Sequence, residues 1–241
     1  MNVGILGAGA MGRVLADMTD EKEGFSLAGT VEPLRGEELG DLPEPDVIVD
    51  FSNPANLELL ADFCEKKGCP AVIATTGYSR EQMERIRALS RSVPVVFSAN
   101  YSLGINVMKR VLSEITPILE DFFDMEIIEK HHNKKLDAPS GTALMLLEAM
   151  DGRGEYDHVF GRHGDRKREK EIGIHAIRGG NIAGEHTAIY AGEDEILEIK
   201  HTATSKKIFA AGALKAAEFV AKAPAGFYNM EDVLFGQRKE K

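Results

Sequence analysis

Residues 3–12 read Val3-Gly4-Ile5-Leu6-Gly7-Ala8-Gly9-Ala10-Met11-Gly12. An apolar run enters a GxGxxG loop, and Val14, Leu15 and Met18 then recur at helical spacing. The order predicts a buried parallel strand, a tight turn and a helix. Gly7 permits the turn, Gly9 lets a pyrophosphate approach the backbone, and Gly12 allows the helix to pack closely on the strand. The next predicted strand, residues 25–31, ends at Glu32, twenty positions after Gly12, where a carboxylate accepts hydrogen bonds from adenosine ribose hydroxyls. With strand, helix and acid in place, the loop reads as an NAD(P) site rather than a glycine turn that serves packing alone. Glu32 repels a 2′-phosphate, so NADH is the expected cofactor. Arg35, three positions on, leaves NADPH possible.

Working outward, strands and helices alternate: a strand at 47–50, a helix at 55–67, a strand at 71–74, a helix at 80–89 and a strand at 93–97. This is the pattern of a Rossmann-type doubly wound parallel sheet, an α/β fold. In such a sheet the carboxyl ends of the strands line the ligand crevice. Three small or polar loops stand there: Phe51-Ser52-Asn53-Pro54, Thr75-Thr76-Gly77 and Ser98-Ala99-Asn100-Tyr101. The nicotinamide half of the cofactor is expected among them. Cys64 falls with Leu59, Leu60 and Phe63 at helical spacing and reads as a core residue.

The pattern changes after Tyr101. A long helix is predicted over 103–120, and an alternating strand over 124–129 delivers the segment Glu129-Lys130-His131-His132-Asn133-Lys134-Lys135-Leu136-Asp137-Ala138-Pro139-Ser140-Gly141-Thr142-Ala143. Two adjacent histidines sit there among lysines, and a cation cluster would favour the neutral imidazole, so His131 or His132 suits proton exchange near neutrality. Lys135, four residues beyond His131, can reach the same small molecule. Ser140, Gly141 and Thr142 open a helix whose backbone amides suit a carboxylate or phosphate, the alternative being that Ser140 or Thr142 only caps the helix beside a solvated charged loop. Residues 162–171 form a charged loop, and strands follow at 172–177, 186–190 and 195–201. The turns Arg178-Gly179-Gly180 and Gly184-Glu185-His186-Thr187 stand between the strands and carry polar residues able to face a ligand. A last helix, from 207 to about 222, is expected to return over the first domain. The division expected is a dinucleotide-binding domain of 1–102 and 207–241, and a second α+β domain of 103–206 with a mostly open mixed sheet.

The chain has 241 residues, 43% of them hydrophobic, and a formal net charge of −10, which argues against general nucleic-acid binding because neutralising phosphates needs a basic face. The N-terminus enters the first strand directly, without the features of a signal peptide, and no apolar run approaches the ~20 residues of a membrane helix. Two cysteines, Cys64 and Cys69, complete neither a structural zinc site nor a disulfide framework. The expectation is a reduced, soluble, cytoplasmic protein that binds no metal, membrane or nucleic acid.

Gly7 to Gly12, Ala74-Thr75-Thr76-Gly77, the block from Glu129 to Ala143, Glu171-Ile172-Gly173-Ile174-His175, Arg178-Gly179-Gly180 with Gly184-Glu185-His186-Thr187, and the stretch from Gly226 to Leu234 together resemble the 4-hydroxy-tetrahydrodipicolinate reductase family. The resemblance covers almost the whole chain, and the His-His-x-x-Lys-x-Asp-Ala-Pro-Ser-Gly-Thr-Ala block is its most specific part. It implies NAD(P)H-dependent reduction of a small cyclic imine dicarboxylate with loss of water, in lysine and diaminopimelate biosynthesis. By that likeness His131 is the general acid or base and Lys135 a second proton donor. His132 binds one substrate carboxylate, and Ser140, Gly141 and Thr142 form the helix start that holds the other. Gly7, Ala8, Gly9, Ala10, Met11, Gly12 and Glu32 take the pyrophosphate and ribose, while Ala74, Thr75, Thr76, Ser98, Ala99, Asn100 and Tyr101 surround the nicotinamide. The likeness also implies a homotetramer assembled through the second domain. Departures are a shorter glycine loop, Ala74 for a frequent glycine, Asn133 for a frequent arginine, and Pro33 where some members carry an arginine suited to a 2′-phosphate. A different two-domain nicotinamide oxidoreductase and a catalytically silent nucleotide sensor are the alternatives. His131 and Lys135 together count against the sensor.

Overall fold

The computed structural model describes residues 1–236. The chain divides into two compact units, one of Met1–Leu103 with the segment from Lys206 onward, the other of Gly104–Ser205. The first unit opens with β1 (Asn2–Leu6), α1 (Ala10–Glu21), β2 (Ser26–Val31), β3 (Val47–Asp50), α2 (Leu57–Lys67), β4 (Ala71–Ile73), α3 (Arg80–Leu89) and β5 (Pro94–Phe97). The second is built from α4 (Leu103–Leu119), β6 (Asp124–His131), α5 (Gly141–Met150), β7 (Asp157–Phe160), β8 (Glu171–Arg178), β9 (Glu185–Ala191) and β10 (Ile196–Thr202). The chain then returns to the first unit with α6 (Lys207–Val220), β11 (Gly226–Tyr228) and α7 (Met230–Phe235).

In the first unit six strands lie in the order β11-β5-β4-β3-β1-β2, and every pairing is parallel. Parallel neighbours need crossovers that cover both faces of a sheet, so its strands are apolar on both sides. All four residues of β3 are buried. Alternation sends Val47 and Val49 to one face with Val3, Ile5, Leu15 and Ala213, and Ile48 to the other with Leu6, Leu60 and Ile73. Burying each Val, Leu or Ile side chain completely stabilises the unit by about 1.5–3 kcal/mol. The helix α6 lies close because it is built of small residues: a Cβ at Gly212 would fall 1.7 Å from the Tyr101 carbonyl oxygen.

The second unit holds a five-stranded mixed sheet, ordered β10-β9-β6-β8-β7, with β6 parallel to β8 and antiparallel to β9. One face packs on α4 and α5 through Met108, Leu112, Leu146, Leu147, Ile127 and Tyr190. A Rossmann-type α/β unit and a second mixed-sheet unit are what the sequence pattern led us to expect.

Boundaries and small elements differ from that expectation. The final stretch before the tail holds a sixth strand, β11, and a helix, α7, where no element was read. Three residues are too few for periodicity to show, and β11 is fixed by packing: Tyr228 meets Phe219 edge-on at 5.1 Å and donates its hydroxyl to Pro224 O at 3.0 Å. The edge strand β7 also went unread. The strand read as ending at residue 129 continues to His131, which pairs with Arg178, because Gly179 N–H donates to His131 O at 2.9 Å and prolongs the ladder. The charged loop read at 162–171 is largely exposed up to Lys170, but Glu171 is buried at the start of β8, and the arginines are engaged: Arg162 pairs with Glu171, and Arg168 with Glu126 and Asp124.

Candidate active site

The first group of site residues lies at the carboxyl ends of the parallel strands, where the strand order reverses between β1 and β3. Gly7 has φ +106° and donates to Val31 O at 2.8 Å, and a Cβ there would lie 2.5 Å from Phe51 O. At Gly12 a Cβ would lie 1.8 Å from Gly7 O. Both glycines are therefore required by backbone. Gly9 is different: nothing lies within 4 Å of the position its Cβ would take, and it begins α1 with no side-chain cap. That open, donor-rich helix start fits a dinucleotide pyrophosphate. Ala8 and Met11 are half-buried beside it and Ala10 is exposed.

Glu32 stands just beyond β2, its carboxylate accepting from Ala8 N at 3.2 Å and Leu34 N at 3.4 Å. Thus the acid is tied to the glycine loop. Thr75 is buried, and its hydroxyl accepts from Ser52 N at 2.8 Å, which joins the loops after β3 and β4. Ala74 is half-buried and Thr76 exposed beside it. In the loop after β5, Ser98 donates to Asn100 O at 2.9 Å, Ala99 is exposed, and Asn100 Oδ1 accepts from Ser102 N at 2.8 Å. Tyr101 is 2% exposed, with its hydroxyl directed at Ile73 O and Val96 O. Its ring therefore serves the core.

The sequence reading missed Asp50 in this unit. It accepts from Ser52 Oγ at 2.5 Å, Ser52 N at 3.0 Å and Tyr78 Oη at 3.1 Å. Burial raises its carboxyl above the ordinary range, against the pull of those donors. A charged residue closing an otherwise apolar strand was the available signal.

In the second unit the sequence block becomes a strand end, a turn and a capped helix. His131 Nδ1 lies 2.5 Å from Glu129 Oε2, so a carboxylate faces this histidine where the sequence showed neighbouring cations. Glu129 is 0% exposed. Burial alone would raise its carboxyl, but the Arg178 guanidinium, His131 and the Ser140 N–H outweigh it and hold the group below the usual carboxylate range. His132 is half-buried and its Nδ1 has no hydrogen-bond partner. A turn closed by Lys135 N–H to His132 O at 3.1 Å brings Lys135 back, and its ammonium pairs with Asp137 at 2.8 Å. The Ser140 hydroxyl caps α5 by accepting from Ala143 N at 3.1 Å and meets His186 Nε2 at 3.0 Å. Since Ser140 N–H is given to Glu129 Oε1, the serine's polar groups have internal partners. Gly141, exposed, and Thr142, half-buried, occupy the first turn of the helix.

Arg178 and His186, read from the sequence only as turn residues able to face a ligand, and Glu129, to which no separate role was given, complete this cluster. The available signal was phase: Glu129 alternates with buried Met125 and Ile127, and His186 with buried Ala188 and Tyr190. Burial and the charge of His131 push His186 down to about 4, so it is neutral at pH 7. Among the described residues no group of three or more His, Cys, Asp or Glu is arranged to hold a metal ion, and no helix is long and apolar enough to cross a membrane.

Comparison with known proteins gives two family matches: residues 1–101 fit the dihydrodipicolinate reductase N-terminus and residues 104–234 its C-terminus. The chain belongs to the dihydrodipicolinate reductase family. It is 46% identical over 239 residues to the 4-hydroxy-tetrahydrodipicolinate reductase of Clostridium novyi, covering 94% of this chain and 95% of that one. The corresponding enzyme of Clostridium tetani is 44% identical over 239 residues, covering 94% and 93%. Among solved structures, a dihydrodipicolinate reductase of a Paenisporosarcina species with dipicolinate bound superposes at TM-score 0.79 and 21% identity, over 98% of this chain and 99% of that one. A myo-inositol dehydrogenase of Corynebacterium glutamicum shares the fold at TM-score 0.60 and 15% identity, over 98% and 93%. The two dihydrodipicolinate reductase matches adjoin between residues 101 and 104, where the compact units divide. The second runs on through the returning α6, β11 and α7.

Proposed function

We propose that the protein reduces 4-hydroxy-tetrahydrodipicolinate to tetrahydrodipicolinate with NAD(P)H and loss of water, a step of lysine and diaminopimelate biosynthesis. The observation that carries this reading is the buried Glu129–His131 contact beside the capped start of α5. It joins a proton-exchanging imidazole to an anion-binding helix end. The nicotinamide, when bound, supplies the hydride. His131 exchanges a proton with the substrate, and Lys135 is a second donor whose ammonium, now paired with Asp137, stabilises negative charge. His132 binds one carboxylate. Gly141 and Thr142, with Ser140 shaping the turn, bind the other. The dipicolinate bound to the Paenisporosarcina reductase is a pyridine dicarboxylate, the chemistry that this arrangement suits.

For the cofactor, the first unit offers the Gly7–Gly12 loop and Glu32, with Ala74 to Thr76 and Ser98 to Tyr101 beside the nicotinamide. NADH is the preferred donor, because the Glu32 carboxylate repels a 2′-phosphate and Pro33 offers no guanidinium to meet one. A cytoplasmic homotetramer completes the reading. It is supported by the sheet face turned away from α4 and α5, which leaves Ile177 46% and Ile196 67% exposed.

The test is a coupled assay in which the substrate is generated from pyruvate and aspartate semialdehyde and loss of reduced nicotinamide is followed by absorbance. Substrate-dependent oxidation, faster with NADH than with NADPH, is expected. Oxidation of hydroxy acids or sugars at the expense of NAD+, with no turnover of the cyclic imine, would overturn the assignment.

A further inference from the structure

A carboxylate that is 0% exposed is costly unless each oxygen is met by donors, and Glu129 is met from three segments of chain. Arg178 at the end of β8 donates from Nη1 at 2.8 Å and from Nη2 at 2.7 Å. The Ser140 N–H at the start of α5 donates at 3.0 Å, and His131 Nδ1 lies at 2.5 Å. Arg178 is itself held, because Nη2 also donates to Asp137 O at 2.6 Å. The carboxylate is therefore fixed in place before any ligand arrives.

An ionised carboxylate accepts and cannot donate, so a hydrogen bond to it requires the proton on His131 Nδ1. The nitrogen left to exchange protons is Nε2. The ring has little freedom to turn away: His186 stands edge-on with centroids 5.1 Å apart, and a Cβ at Gly184 would come 3.1 Å from His131 Nε2.

We propose that Glu129, clamped by Arg178, is the positioning residue that sets the Nδ1–H tautomer of His131, directs Nε2 at the substrate and stabilises the imidazolium formed when His131 takes a proton. This rests on the reading of His131 as the acid–base group. The bland account is a buried ion pair that ties β6 to β8, and it makes no demand on the histidine's proton.

Glu129→Gln separates the two. A glutamine has one acceptor oxygen. At the Oε1 position it meets both Arg178 Nη2 and the Ser140 N–H and leaves only Nη1 unmet, whereas at Oε2 it would leave both of those donors unmet. The amide NH2 is therefore turned toward His131 Nδ1 and forces that nitrogen to accept. The tautomer should invert. Nitrogen-15 spectra of histidine-labelled protein, with the His131 signals assigned by their loss in His131→Gln, report it directly. We expect Nδ1–H in the wild-type protein, Nε2–H in Glu129→Gln, and a fall in kcat on the order of 100-fold with KM changed by less than about twofold. Wild-type protein showing Nε2–H overturns the proposal without any variant, so a Glu129→Gln protein that fails to fold does not protect it. A folded Glu129→Gln enzyme with an unchanged tautomer or undiminished kcat overturns it equally. If the wild-type protein shows Nδ1–H but does not reduce the cyclic imine, the catalytic role falls with the functional reading and only the geometric part stands.

Discussion

The Ser140 hydroxyl accepts a hydrogen bond from the first turn of α5 and lies 3.0 Å from Nε2 of His186, a histidine only 4% exposed. Burial comes first, and the charge of His131 second, in pushing His186 from 6.5 down to about 4. The folded protein thus binds fewer protons than the unfolded chain between those values. The stabilisation is complete above pH of about 6.5 and is lost as pH falls toward about 4, at roughly 1.4 kcal/mol per unit, on the order of 3 kcal/mol in all. Urea unfolding at a series of pH values should show this slope in the wild-type protein and a shallower one in His186→Asn. Parallel slopes would remove His186 as the cause. The contribution of Glu129, whose carboxyl is held below 4.5, has the same sign but is lost only at lower pH.

Two glycines of one loop should respond differently to the same methyl group. Gly12→Ala drives a Cβ against the Gly7 carbonyl, 1.8 Å away, and should destabilise the first unit by about 2 kcal/mol or more. Gly9→Ala meets no protein atom within 4 Å, so thermal unfolding should be unchanged while NADH affinity falls by at least about tenfold. Calorimetry and nicotinamide fluorescence titration measure the two effects. Unaltered NADH binding in Gly9→Ala would show that the pyrophosphate lies elsewhere.

His131→Gln and Lys135→Ala should each lower turnover by about two powers of ten or more and leave NADH affinity nearly unchanged, as expected of groups that move protons. Steady-state rates with a separate binding titration check this. Near-normal turnover in both variants would end their assignment.

Glu32 links cofactor choice to loop geometry through its bond to Ala8 N–H at 3.2 Å. Replacing it with alanine should raise KM for NADH severalfold and narrow the gap between NADH and NADPH, because repulsion of the 2′-phosphate disappears. Comparing kcat/KM for both cofactors tests it. A wild-type enzyme that prefers NADPH would contradict the electrostatic argument at its root.

The parallel sheet could be read from the chain because strand, glycine loop, helix and acid lie within 32 residues and each is a local signal. His131, Lys135 and Ser140 could be singled out for the same reason. The interactions of Glu129 could not, because Arg178 lies 49 residues away and reaches it only through the β6–β8 register, which periodicity does not specify. His186 and Ser140 are similarly 46 residues apart. The ring of Tyr101 is a further case that local pattern does not give. It follows a strand end, where ligand-facing residues are expected, yet tertiary packing turns its ring inward and the close approach of Gly212 covers its carbonyl. A strand of three residues such as β11 carries too little pattern to be seen at all.

The position of α6 has a consequence for how the molecule is made. Its alanines, Ala210, Ala213 and Ala217, join the same apolar cluster as Val3, Val49 and Val72, and β11 pairs with β5. On the ribosome, the strands synthesised first therefore wait with one face partly bare until more than 100 further residues have emerged, since the intervening unit alone spans Gly104–Ser205. That intervening unit has its own core and closes without them. Vectorial synthesis thus favours the inserted domain reaching its native packing before the domain that encloses it in sequence, and a chain released before Val220 would expose valine strands prone to intermolecular pairing.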